Sequence, residues 1–142
     1  MNFLIIEELP SDSDVFTFYL HQGFKKDIKK YQKKKYPIEK PIGYLVNLLS
    51  THFNSKEPEK PLSNNIFLAE KTGNLPIYKT IIVIEGLRKG QCPRTYILIL
   101  PSIMVFLCAD DHIDNYKDAQ LRQVAICRAK ETIEVLNSNG II

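Results

Sequence analysis

The sequence predicts an α+β fold: a mainly antiparallel sheet of four to six strands, a long C-terminal helix, and one or two shorter helices in the N-terminal half. Three observations predict it. Short runs of β-branched and aromatic residues recur through the second half with turn residues between them. A long stretch of helical periodicity follows those runs, and an amphipathic helical pattern stands in the first half at 24–36. With 142 residues, 44% hydrophobic and 25% charged, the chain matches one globular domain that buries roughly 70% of its unfolded surface around one core. The domain divides into a helical and hairpin half at 1–53, an exposed connection at 54–65, and a strand meander with a helix at 66–142.

Taken in order, the apolar run at 3–7 stops before Pro10 and the turn formers Ser11-Asp12-Ser13-Asp14. The run at 15–20 is rich in β-branched and aromatic residues and predicts a second strand closing a hairpin, with a helix capped by Asp14 as the alternative. Phe24, Ile28 and Tyr31 fall at i, i+4 and i+7, one face of a helix with lysines opposite. Pro37 ends that helix, and Pro41 suits the first turn of another, whose buried face is Ile42, Leu45, Leu48, Leu49 and Phe53. Pro58 and Pro61 among charged residues mark the connection.

Strands are predicted at 66–69, 78–85, 96–100 and 103–108, joined by short turns as in a meander. Ile81-Ile82-Val83-Ile84 and Ile97-Leu98-Ile99-Leu100 are apolar at nearly every position, which predicts a sheet covered on both faces, by helices on one and by a second subunit on the other. Pro101-Ser102 does not suit a primed two-residue hairpin turn, so a bulge or a longer turn is expected there. The pattern at 115–137 is one helix, stopped at Asn139-Gly140, with Ala119, Ile126, Ala129, Ile133 and Leu136 as its buried stripe.

Composition excludes several classes. The N-terminus lacks the basic start and cleavage site of a secretory signal, and the apolar stretch at 96–109 is broken by Pro101 and too short to span a bilayer. A cytoplasmic or intracellular place, including within a virus-derived or multi-protein particle, and no membrane insertion are expected. Cys92, Cys108 and Cys127 are an odd set without close pairing, which argues against a disulfide framework. Cys92 sits in a turn beside cations that would favour its thiolate, whereas Cys108 and Cys127 read as packed.

Four groups of residues could carry chemistry. The lysine face comprises Lys25, Lys26, Lys29, Lys30, Lys33, Lys34 and Lys35, with Tyr31 and Tyr36 within reach for stacking. Such a face neutralises phosphates without reading sequence, and it contains no arginine, the better base reader. The turn from Gly86 to Arg94 adds Arg88, Lys89 and Arg94, cations and exposed amides that could hold an anion, although no helix follows as in a phosphate loop. Asp110, Asp111, His112 and Asp114 offer hard-cation ligands, a reading outweighed by helix capping because no ligand spacing is present. Finally, the three cysteines have no adjacent histidine to act as base.

The leading expectation is therefore a non-enzymatic assembly subunit or adaptor that associates with a protein partner or with itself, needing no cofactor. The alternative is a sequence-independent nucleic-acid-binding accessory protein using the helix at 24–36. The ratio of 15 Lys to 4 Arg tempers the second, since a general lysine bias would also produce a solvated basic face.

Overall fold

A hairpin opens the computed structural model, which describes residues 3–54, 66–111 and 115–142. Strand β1 (Ile6–Leu9) pairs antiparallel with β2 (Thr17–His21), so the run at 15–20 takes the strand alternative. Helix α1 (Gln22–Lys33) starts where β2 ends, with His21 as its cap: His21 Nδ1 accepts the Gly23 N–H at 2.9 Å. It buries the predicted stripe of Phe24, Ile28 and Tyr31. Helix α2 (Glu39–Asn54) is longer than predicted and carries Pro41 in its first turn. Beyond residue 54 the predicted connection lies outside the described residues. Then come β3 (Phe67–Leu68), β4 (Ile77–Ile81), a 3-10 turn (Lys89–Gln91), β5 (Pro93–Leu100), β6 (Ile103–Asp111) and α3 (Asn115–Ser138).

These strands form one six-stranded sheet in the order β1-β2-β6-β5-β4-β3. The segment from β3 to β6 is the predicted antiparallel meander. The N-terminal hairpin joins it through β2, which lies parallel to β6 from the Thr17–Ile103 pair to the Leu20–Phe106 pair. Two local expectations are corrected. Strand β4 ends at Ile81 although Ile82 and Ile84 are buried, because Ile82 N–H bonds the Pro93 carbonyl at 2.9 Å and Pro93 has no N–H to return. At Pro101-Ser102 the loop has only two residues, with Leu100 opposite Ile103: proline supplies the first central φ and Ser102 takes the left-handed conformation at φ 65°. The bulge sits instead in β6, where Leu107 is left without a partner between the Tyr96–Cys108 and Ile97–Phe106 pairs.

Burial on both sheet faces follows the prediction, with the sheet dividing the expected single core in two. On one face Phe18, Ile97, Met104 and Phe106 pack against α1 and α2 through Phe24, Ile28, Ile42 and Leu49. On the other, Tyr19, Leu98, Val105 and Leu107 pack against Ala125, Ala129 and Leu136 of α3. Helices of the same chain cover both faces, so no second subunit is required over the sheet.

Strand β6 outruns β2. The pairing ends at Phe106 while β6 continues to Asp111, leaving its polar backbone edge to be satisfied by something other than a strand. Helix α1 supplies it. Asp27 Oδ2 accepts the Ala109 N–H at 3.0 Å, and Arg128 of α3 donates from Nη1 to the Leu107 carbonyl at 2.9 Å and to Asp27 Oδ2 at 2.8 Å. Gly23 makes room for this clamp: a Cβ there would stand 2.2 Å from the Arg128 guanidinium carbon. The clamp sets α1 beside residues 107–111 and thereby determines which lysines meet carboxylates.

Candidate binding surface around the first helix

The lysines of α1 divide into two groups. Lys25 is half-buried and pairs with Glu7 of β1. Lys30 reaches the end of β6, with Nζ 2.6 Å from Asp110 Oδ1 and 3.6 Å from Asp111 Oδ2, and it also lies 5.3 Å from the centre of the Tyr31 ring. Burial pushes the Asp110 carboxyl up, but the hydrogen bonds from Lys30 and the Asp111 N–H, together with the charge of Lys30, outweigh it and hold Asp110 below its ordinary range. The Tyr31 hydroxyl donates to Asp111, and burial first, then that carboxylate, push the phenol up. Lys26, Lys29, Lys33, Lys34 and Lys35 remain exposed, with no ion-pair partner among the described residues.

The end of α1 is turned by Lys35, whose φ of 61° is the left-handed conformation usually given to glycine at this position. That turn brings the Tyr36 N–H back to the Tyr31 carbonyl at 3.0 Å and sets the Tyr36 ring against the core as a half-buried wall. Facing it is the turn after β4. Arg88 and Lys89 are exposed there, and the Gln91 side-chain oxygen accepts the Arg88 N–H at 3.2 Å, which fixes the 3-10 turn. Between the two runs a groove of about 300 Å³ lined by Lys30, Tyr31, Lys34, Tyr36, Leu87, Gly90, Gln91 and Asp111. Cationic segments more than fifty residues apart in sequence thus face each other. Arg94 departs from this tip: it is half-buried on β5, opposite Asp110.

A larger groove, about 450 Å³, lies on the other flank of α1, against α2 and the β1–β2 hairpin. Its floor is apolar, from Leu9, Leu20, Ile28, Ile42 and Val46, and its rim carries Lys25, Lys29, Asp12 and Glu39. Nothing local in the sequence announced it, because its walls come from four separate elements. The Asp111–Tyr31 and Asp110–Lys30 contacts were equally hidden, since each joins residues 80 positions apart.

Of the proposed metal ligands, Asp110 and Asp111 are engaged by Lys30 and Tyr31, while His112 and Asp114 lie outside the described residues. Among the described residues no group of three or more His, Cys, Asp or Glu could hold a metal ion. The cysteine expectations reverse in part. Cys92 is fully buried, its Sγ 3.4 Å from the Ile84 N–H, and Cys127 is exposed; Cys108 is packed as predicted, and burial pushes its thiol up. No helix among the described residues is long and apolar enough to cross a membrane. No family model, curated protein or solved structure matches this chain.

Proposed function

We propose that this chain binds nucleic acid without sequence preference, as an accessory protein rather than an enzyme. One observation carries the reading: the unpaired Lys34 at the end of α1 and the turn that exposes Arg88 and Lys89, distant in sequence, stand on either side of one polar groove, and the unpaired Lys26, Lys29 and Lys33 lie on the helix that ends there. Unpaired cations are the ones that release counterions from a phosphate backbone, and a ridge of them on one helix matches the spacing of a strand better than that of a single small anion. Lys25 and Lys30 contribute less because carboxylates of the same chain already neutralise them.

The test replaces Lys26, Lys29, Lys33 and Lys34 by glutamine and measures binding to oligonucleotides by fluorescence anisotropy across a salt series. Association is lost uniformly across sequences, and the slope of log affinity against log salt shrinks by somewhat under about one unit per contact removed. Thermal stability stays nearly constant, since exposed lysines contribute little to folding. An unchanged affinity removes the reading.

A protein partner is the second reading, favoured by the apolar groove beside the same lysines. Its occupant would be a partner segment with apolar side chains for the floor and carboxylates for Lys29. If the lysine replacements leave nucleic acid unaffected but dissociate a protein complex or an oligomer in sedimentation, this second reading stands in place of the first.

A further inference from the structure

We infer that the polar groove between the end of α1 and the turn after β4 receives one unstacked nucleotide of a single strand, so that the preferred ligand is single-stranded nucleic acid. The inference rests on the nucleic-acid reading above and narrows it. A lysine ridge alone would hold a duplex at least as well as a strand, because the duplex has the higher charge density. The groove is what differs. At about 300 Å³ it stands at the small end of ligand-site sizes, and its lining is mixed as a nucleotide requires.

Tyr36 and Leu87 provide half-buried walls for a base face. The Gln91 amide, whose oxygen is taken by the Arg88 N–H, keeps its NH2 donors for a base edge, and the Asp111 carboxylate offers an acceptor. Lys34 stands at the lip as the unpaired cation for the attached phosphate, and Lys33 and Lys26 continue outward along α1 toward its neighbours. The cations therefore run away from the groove rather than into it. That distribution suits a nucleotide within a strand, whereas a free nucleotide would need several unpaired cations inside the groove, and Lys30 is already paired with Asp110. Bases stacked in a duplex cannot enter.

The experiment compares a fluorescein-labelled oligothymidine strand with its duplex on oligoadenine, using wild type, Gln91→Ala and Tyr36→Ala, with adenosine monophosphate as competitor. Gln91 is exposed and its side chain holds only the local Arg88 N–H, so its replacement leaves both cores intact even if Tyr36→Ala weakens packing. The strand binds about tenfold tighter than the duplex, each groove variant lowers strand affinity about fivefold or more, and duplex affinity does not change. Equal affinity for strand and duplex with Gln91→Ala silent overturns the inference and leaves the nucleic-acid reading in place. Binding of neither overturns both. Displacement of the strand by adenosine monophosphate at micromolar concentration also overturns the inference, since the groove would then be a site for free nucleotides.

Discussion

His21 illustrates how much one side chain can be asked to do at the junction of β2 and α1. By accepting the Gly23 N–H, its Nδ1 must be unprotonated, so the neutral ring carries its proton on Nε2. That atom is buried without a hydrogen-bond partner, and the nearest carboxylate oxygen, on Glu131, is 3.9 Å away. Burial lowers the imidazole pKa, and Arg128 lowers it further. Glu131 and Asp27 pull the other way without reversing the result. Protonation would turn Nδ1 into a donor facing a donor and place a cation at the positive end of α1. Because the folded pKa lies below the ordinary value of about 6.5, the unfolded chain binds the proton more tightly. Stability is then complete above that value and falls as pH drops toward the folded pKa. Denaturant midpoints measured from pH 8 down to pH 5 should decline for the wild type. For His21→Asn, which keeps a cap but does not titrate there, they should decline less. A wild-type midpoint that rises on acidification would mean that the Glu131 ion pair dominates instead.

At the scale of elements, most of what periodicity can express was legible. The face of α1, the length of α3 and the apolar character of β5 and β6 follow from spacing alone. The buried stripe of α3 was only partly placed: Ala129 and Leu136 are buried and Ile126 and Ile133 pack half-buried on the same core as read, Ala119 is only half-buried, and Ala125 and Thr132 lie fully inside although neither was expected there. Small residues signal close approach to a sheet more weakly than large ones signal burial. Strand β4 was overextended because Ile82 and Ile84 are as apolar as strand residues yet lie opposite a proline and a 3-10 turn. The groove beside α2 was illegible, and Gly43 shows why: a helix-interior glycine looks like a defect until one sees that it opens onto space, with nothing within 4 Å of a Cβ placed there. Gly43→Ala should therefore stabilise α2 by about 0.5–1 kcal/mol, read as a higher melting temperature. A loss of stability would mean that this flank is filled in the folded protein.

The whole molecule is organised by β6, which sends Met104 and Phe106 into the core under α1 and α2 and Val105 and Leu107 into the core under α3. Cover on both faces could be anticipated from strands apolar at nearly every position, but not that helices of the same chain supply both layers, where a second subunit was expected on one. The parallel pairing of β2 with β6 could not, because it depends on a contact across more than eighty residues that no local pattern encodes. This arrangement raises the question of whether the two cores melt together. The clamp of Asp27 and Arg128 argues that they do, since it joins α1, β6 and α3 through one carboxylate and one guanidinium, both largely shielded from water. Two buried cysteines serve as native probes of the two sides: Cys92 belongs to the core beneath α1 and α2, Cys108 to the core beneath α3. With the exposed Cys127 replaced by serine, thiol labelling across a urea series, resolved by mass spectrometry, should expose Cys92 and Cys108 at one common midpoint that coincides with loss of helical circular dichroism. Leu107→Ala, a cavity in the α3 side alone, should lower both midpoints together by an equivalent of about 2–5 kcal/mol, because the strand that carries Leu107 is shared. If Cys108 became reactive at a lower urea concentration than Cys92, or if Leu107→Ala moved only Cys108, then α3 would open independently of the layer that carries the lysine surface, and the fold would behave as two units rather than one.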